Sequence, residues 1–508
     1  MYKFIKSYQT YLISLVFAIA IIGGLQFKNR GLFADPDGFY HAKVSQLMTE
    51  GKIHDTFPWL ADTTWKDGYA DQHYLYHFLL IPFNTAPHLY LSVIFFGLVF
   101  VIMFLILLYK LKAHSVIWWT LLLLLGSVDF LFRINLVKAN TLSLIWMFAS
   151  FLFLLSWEKS QHWWKMLGLG LVSALFVWSY GGFVFMPVFL GFYFISTFIY
   201  KRKIDYWPVV AVGLGIVLGF LLHPDHNHLI KSLFDQLFRT GLGAGKEVPA
   251  GNEWLAYNSD WFIKSDLILL FAWLFSVGLW IKEIYEKKSS WVATWFQANT
   301  IFLLVLALLH RRFIEYYVPF AVVSSAIVFS PYLAKLKWKD VRKVVENWQV
   351  QIAFLAIAIF VLFMFKFNLT STQNILAGGS RVEDYKSAAD AIISHSQPGD
   401  IVLTTQWDQF PDLWYWDDKN YYLVGMDPTF MYIYDSKKYW QWRIIGDDNP
   451  KLWVNPSRVK LIIKYTLNSK FVFVEPTRNP NIYQFLRNNP GDYDLIYDGT
   501  GSAVFQVK

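Results

Sequence analysis

From the N-terminus to residue 367 the chain alternates between long apolar blocks and short polar connections. Each block approaches the length of about 20 apolar residues that a helix needs to cross a bilayer. Eleven such spans are predicted, near 8–26, 88–109, 115–132, 139–157, 166–179, 183–200, 207–222, 266–281, 291–309, 316–334 and 348–367. The fifth is short, and partly re-entrant geometry is an alternative for it. From residue 368 onward the pattern changes. A helical period near 383–396 leads into the β-type run Ile401–Thr405, and further β-type runs follow at Tyr421–Gly425, Phe471–Glu475 and Asp494–Asp498. Strands alternating with helices read as a small α/β domain. The fold class is therefore a polytopic α-helical membrane protein (1–367) with a water-soluble α/β domain at 368–508.

The charges set an orientation. Seventeen basic residues fall in short connections of one parity: Lys3, Lys6, Lys110, Lys112, Lys159, Lys165, Lys201, Arg202, Lys203, Lys282, Lys287, Lys288, Lys335, Lys337, Lys339, Arg342 and Lys343. The positive-inside rule assigns that side to the cytoplasm. The N-terminus is then inside, while the 27–87 loop, the 223–265 loop and everything after 367 lie outside a plasma or inner membrane. The basic start followed by an apolar stretch also fits a signal peptide, but no A-x-A site follows it, so it is read as a span.

Composition sharpens this picture. Only 16% of the residues are charged and 55% are apolar, with a mean hydropathy of +0.34. Soluble domains carry about 25% charged residues, so an ordinary cytosolic enzyme is excluded. Cys 0 excludes disulfides, thiolate metal sites and cysteine nucleophiles. No internal repeat or Gly-rich phosphate loop is present, and no nucleic-acid partner is implied.

Ionisable residues at membrane level are functional candidates because their burial is costly. The first outer loop opens with Ala34-Asp35-Pro36-Asp37-Gly38-Phe39-Tyr40-His41. Asp35 and Asp37 offer oxygen ligands for a divalent cation or a general base; a helix cap is the plain alternative. Further along, His73 and His77 stand at i, i+4, a spacing shared by metal-binding helices and by ordinary polar packing. Two basic elements face the same side. Arg133 and Lys138 follow Asp129, and Arg311 and Arg312 open the tenth span. Guanidinium groups match phosphate oxygens bidentately. The alternative is an ion pair between Arg312 and Glu315 one turn on.

These same residues carry a resemblance. Asp37-Gly38-Phe39-Tyr40 resembles the first-loop aspartate motif of oligosaccharyltransferase catalytic subunits, members of the GT-C glycosyltransferase superfamily. Arg312-Phe313, Tyr316 and Val318-Pro319 match that family's R-F-x-x-Y-x-V-P pattern on a late span. The resemblance implies that Asp37 is catalytic and binds a divalent cation, Mg²⁺ or Mn²⁺, with Asp35 as second donor or cap. It gives the donor's phosphate to Arg312; Arg311 and Arg133 join it as phosphate candidates from the placement of basic residues on the outer face. Asp129 stands where the family has a second acidic motif, and is the second metal ligand implied. A family glutamate in a later outer loop maps to Glu247 or Glu253, with Glu253 preferred as a catalytic residue. The family reads its Asn-x-Ser/Thr acceptor with W-W-D-Y-G. Here Thr404-Thr405-Gln406-Trp407-Asp408 keeps only Trp407 and Asp408 for acceptor binding, so asparagine as acceptor is not implied.

The neighbouring Trp414, Trp416, Asp417, Asp418, Tyr421 and Tyr422 would either stack sugar rings or form an aromatic contact between the domain and the membrane. The lone sequon, Asn368-Leu369-Thr370, is a weak signal. The resulting expectation is a metal-dependent membrane glycosyltransferase that takes a sugar or oligosaccharide from a polyprenyl phosphate or pyrophosphate. The acceptor is a protein, a lipid or a glycan. A transferase limited to polyprenyl-monophosphate monosaccharides is the alternative. A transporter is disfavoured, because the ionisable residues cluster at the outer boundary instead of mid-membrane.

Overall fold

A computed structural model describes residues 2–52, 56–241, 248, 251–336, 347–453 and 456–508. Lys337, Lys339, Arg342, Lys343 and Glu247 lie outside the described residues. Among those described, eight helices are long and apolar enough to cross a membrane: Tyr8–Lys28, Ala86–Lys110, Asn140–Lys159, Gly181–Lys201, Ser259–Tyr285, Trp291–Leu309, Arg311–Lys335 and Trp348–Ala377. The protein is a multi-pass membrane protein.

Three expected spans take other forms. The third is broken into Val116–Leu125 and Val128–Ile134, which meet at 87°. The break falls at Gly126 and at Ser127, whose side chain accepts from Phe130 N–H and starts the second piece, as a serine N-cap does. The seventh is the 15-residue helix Trp207–Leu221, which ends before a separate helix starts at His226. The fifth is the 15-residue helix Trp163–Val177. The last span continues beyond its expected end at 367 and stops at Ala377. That extension buries Asn368, whose side-chain amide donates to the carbonyls of Leu125 (2.8 Å) and Ser265 (3.0 Å). The sequon is thus a helix-packing contact.

The chain forms two compact units. One comprises Met1–Arg30, Tyr90–Leu222 and Leu255–Gly378, and its described residues form helices and their connections. Within it, Trp163–Val177 and Trp207–Leu221 pack through glycines. A Cβ on Gly215 would collide with the Gly170 carbonyl oxygen. Small residues give such close approach where no hydrophobic effect drives helices together.

The other unit comprises Gly31–Leu89, His223–Trp254 and Gly379–Lys508. Its short strands β1 (Leu32–Phe33) and β2 (Ser380–Arg381) pair antiparallel. Its main sheet holds β3 (Ile401–Thr404), β4 (Tyr421–Tyr422), β5 (Ser469–Val474), β6 (Tyr493–Asp498) and β7 (Ala503–Val507) in the order β4-β3-β5-β7-β6. Strands β4, β3 and β5 are parallel; β7 is antiparallel to both β5 and β6.

Side chains alternate across the sheet. Leu403, Val472, Val474 and Phe505 join the core beneath the later helices, with Trp442 and Ile463. Val402, Phe471, Phe473 and Val504 face a second core, which takes in Tyr40, Phe57, Trp59 and Tyr69 from the first loop. That loop also reaches the outer edge of β4, where Ala61 N–H donates to the Tyr422 carbonyl and Tyr422 N–H to the Trp59 carbonyl, both at 2.7 Å. A covered edge is protected from pairing with other chains.

Candidate active site

In the helical unit two buried carboxylates, Glu315 and Asp129, are each paired with an arginine, because an isolated ion in an apolar interior costs several kcal/mol. Arg133, 7% exposed, meets the fully buried Glu315. Its Nε and Nη2 each lie 2.8 Å from Glu315 Oε2. Its place among the basic residues on the outer face makes Arg133 a candidate for the donor phosphate; the structure makes it the counter-ion of Glu315. Tyr180 stands between Arg312 and Glu315. Arg312 Nη2 donates to Tyr180 Oη at 2.7 Å, and Tyr180 Oη donates to Glu315 Oε1 at 3.2 Å.

Tyr180 holds this place because the chain winds tightly just after it, at Gly181–Phe185. A Cβ at Gly182 would strike the Tyr316 hydroxyl. Tyr316 in turn shares a 2.9 Å hydrogen bond with Ser143.

Asp129 and Arg311 form the second pair. Arg311 Nη2 reaches Oδ1 at 3.1 Å and Nε reaches Oδ2 at 3.2 Å. Trp261 Nε1 and the Tyr257 hydroxyl also donate to Oδ2. The guanidinium lies 5.6 Å from the centre of the Tyr257 ring, within cation–π range. Asp129 therefore orients Arg311, and service as a metal ligand would require it to give up these donors. Arg311 keeps 42% of its side chain exposed, so the grip leaves part of the guanidinium open.

In the other unit, Pro36 precedes the helix Asp37–Thr49, and Asp35 Oδ1 accepts from Asp37 N–H at 3.0 Å. Asp35 thus caps the helix that carries Asp37, and both carboxylates sit at its positive end. Their hard oxygens suit Mg²⁺ or Mn²⁺. One turn after Asp37, the buried His41 meets two further histidines. Its Nδ1 is 2.7 Å from Nε2 of the buried His77, and its ring centre is 5.2 Å from that of His73. His77 Nδ1 donates to Asp71 Oδ2 at 2.6 Å. Burial pushes the Asp71 carboxyl up, but His77 and His73 outweigh it and hold the group below the ordinary carboxylate range. The i, i+4 histidines are legible in the sequence. That His41 joins them is not, since nothing local marks a contact with His77 across a separation of 36 in the chain.

Glu253 sits half-buried in the turn Asn252–Trp254. It is close enough to Asp427 to help raise that carboxyl, although burial is the larger cause. Trp407 packs against the sheet core. Asp408 is gripped by Arg478, with its two oxygens 3.0 and 2.9 Å from Nη1 and Nη2. Both residues of that pair line a cavity of about 400 Å³ with Pro36, Asp384, Asp412 and Glu475. Burial raises the pKa of Asp412 well above the usual range, and the nearby Asp408 adds to this; burial also raises Glu475.

The aromatic cluster that follows packs within its own unit, an outcome that neither sequence-based reading anticipates. Trp414 and Tyr422 are fully buried, with the Trp414 ring 5.0 Å from Phe57 and 5.3 Å from Trp59. Trp416 Nε1 donates to the Val382 carbonyl at 2.7 Å, and Asp418 pairs with Lys43 at 3.1 Å. Trp414 and Tyr422 are core, and Trp416 and Tyr421 are half-buried against it.

The fold that holds these groups is shared with proteins of known structure. The chain is similar over 96% of its length to ArnT from Cupriavidus metallidurans bound to undecaprenyl phosphate, at 13% identity, with 97% of that chain covered and a TM-score of 0.57. It is also similar to the Archaeoglobus fulgidus oligosaccharyltransferase in complex with zinc and sulfate, at 13% identity. There 97% of this chain and 73% of that chain are covered, with a TM-score of 0.59. No family model and no curated sequence matches the chain.

Both kinds of buried charge can be tested by unfolding. Glu315→Gln leaves Arg133 buried without its counter-charge and should cost about 3–5 kcal/mol of stability. The double change with Arg133→Met should recover much of that loss in a thermal unfolding scan in detergent. A carboxyl whose pKa is raised on folding opposes folding more and more as pH climbs from its unfolded pKa through its folded one. Asp412→Asn should therefore raise the unfolding midpoint at pH 7 to 8, and the gain should shrink to nothing near pH 4. A gain independent of pH would show that Asp412 is not raised.

Proposed function

We propose that the protein is a membrane glycosyltransferase that moves a sugar or oligosaccharide from a polyprenyl-linked phosphate to an acceptor at the outer face of the cell membrane. The observation that carries this reading is the adjacent pair Arg311 and Arg312. One is fixed by Asp129, Tyr257 and Trp261 and the other by Tyr180, in a fold shared with a protein whose structure holds undecaprenyl phosphate.

In this reading the two guanidinium groups neutralise charge that builds on the leaving phosphate, and they act best when aimed beforehand. Asp129 and Tyr180 are the aiming residues. Asp37 accepts the acceptor's proton or binds the cation, with Asp35 holding its helix end. A divalent cation, Mg²⁺ or Mn²⁺, would supply further charge neutralisation at the phosphate. Glu253 is a second acidic catalytic candidate. Trp407 and Asp408 line the acceptor path beside the Asp384–Glu475 cavity, and the acceptor is a protein, a lipid or a glycan. The N-terminus lies in the cytoplasm, with the sheet-containing unit outside.

A second reading, a transferase that takes a single sugar from a polyprenyl monophosphate, is favoured by the undecaprenyl phosphate held in the ArnT structure that shares this fold.

The test is sugar transfer by the purified protein in detergent, with monophosphate and pyrophosphate donors offered to a lipid acceptor and a sequon peptide, with and without EDTA. Arg312→Ala should lower kcat/KM about 10²–10³-fold, as loss of one charge-stabilising donor does, and Asp37→Ala should abolish transfer while the protein stays folded. Full activity in both variants would sink the reading. Because the chain has Cys 0, single cysteines placed at Gln161 and Lys437 can be labelled without background. An impermeant thiol reagent on whole cells should modify only the second.

A further inference from the structure

Zinc demands ligands of a particular kind: imidazole nitrogens or thiolates, about 2.0–2.1 Å from the metal for nitrogen, in roughly tetrahedral array. The sheet-containing unit brings together such a set from residues distant in the chain. His41 comes from the helix Asp37–Thr49. His73 stands at the N-terminal boundary of Tyr74–Leu80, and His77 lies one turn inside it. One ring nitrogen from each lies within 4.8 Å of the other two.

The rings are also oriented. Asp71 accepts from His77 Nδ1 at 2.6 Å, which leaves His77 Nε2 facing His41. The carboxylate–histidine–metal arrangement orients ligand rings in this manner. Asp71 is itself held, because its other oxygen accepts from His73 N–H at 3.0 Å and its own N–H donates to Asp225 at 2.9 Å. His41 and His77 are buried and His73 is half-buried, so the side toward His73 is where a fourth ligand would enter.

We propose that His41, His73 and His77 bind a single zinc-class transition-metal ion, with Asp71 as the outer carboxylate that orients His77. An all-imidazole set selects zinc, copper or nickel over magnesium or manganese, so this site differs in chemistry from the carboxylates at Asp35 and Asp37. Binding needs only small ring movements: the direct His41–His77 contact opens and His73 swings inward. The ion would bolt Asp37–Thr49 to Tyr74–Leu80. Asp37 and His41 share one face of the first of these helices, at i and i+4, so the metal would also stiffen the helix end that carries Asp37. The proposal does not rest on the glycosyl-transfer reading.

The experiment uses the full chain, purified in detergent without a polyhistidine tag, stripped with chelator, reloaded with Zn²⁺ and desalted. Elemental analysis should find one zinc per chain, retained against excess Mg²⁺. X-ray absorption should show an imidazole shell. Asp71→Asn should weaken zinc affinity about 10–100-fold, as removal of an outer-shell partner does. His73→Ala, which alters the least buried of the three ligands, should weaken it further while the protein stays monodisperse. Folded wild-type protein that retains no zinc would overturn the proposal. So would affinity unchanged in both variants, which would place the metal elsewhere. Since metal content is read and not sugar transfer, failure here leaves the transferase reading standing.

Discussion

A charge held among apolar helices must have a partner, and the helical unit is arranged around that requirement. Arg133 with Glu315, and Arg311 with Asp129, tie together helices that apolar packing alone would leave free to slide. The first pair is sequestered and neutral. The second is anchored on one side and open on the other, which is what a binding arginine needs: a fixed direction with part of its hydrogen-bonding capacity still available. Tyr180 links the first pair to Arg312 by touching both Glu315 and Arg312. The five charged groups sum to a single positive charge, and a phosphate brought to them would meet donors already in place.

The helical architecture was legible because span length and loop charge are one-dimensional properties. The helix at Lys386–His395 and the strands β3, β4, β5 and β6 lie close to their expected places for a similar reason, since alternation and turn residues are local signals. Strand β7 escaped notice: Ala503–Val507 is short and shows no clean polar alternation, because it lies inside the sheet with both faces covered. The break at Gly126 was also missed. Continuous apolar runs look alike whether the helix is straight or sharply bent.

The candidate site was only partly legible, and the division is instructive. Asp37, His73, His77, Arg311 and Arg312 stood out because each is an ionisable residue where the surroundings are apolar. Their partners did not. Tyr180, Tyr257 and Asp71 are ordinary residues at ordinary positions, and their importance comes from contacts that only the folded chain makes. The aromatic cluster at 414–422 misled for the opposite reason. A run of Trp and Tyr reads the same whether it covers a sugar or fills a core, and Phe57 and Trp59, which settle the matter, belong to the first loop at the other end of the sequence.

That separation has a consequence for how the protein is made. The sheet-containing unit is assembled from three stretches of chain, 31–89, 223–254 and 379–508, with the helical unit's segments between them. The first loop emerges early in synthesis with Tyr40, Phe57, Trp59 and Tyr69 in need of cover, yet the strands and helices that bury them belong to the final stretch. At about 5–20 residues per second, those aromatics wait for tens of seconds. Until Trp414 and Tyr422 arrive, the loop is a sticky, unfinished surface, and closing so long a loop is slow. Biogenesis of this protein is thus governed by its earliest loop, which must be shielded by chaperone or membrane surface until the C-terminal stretch can complete it.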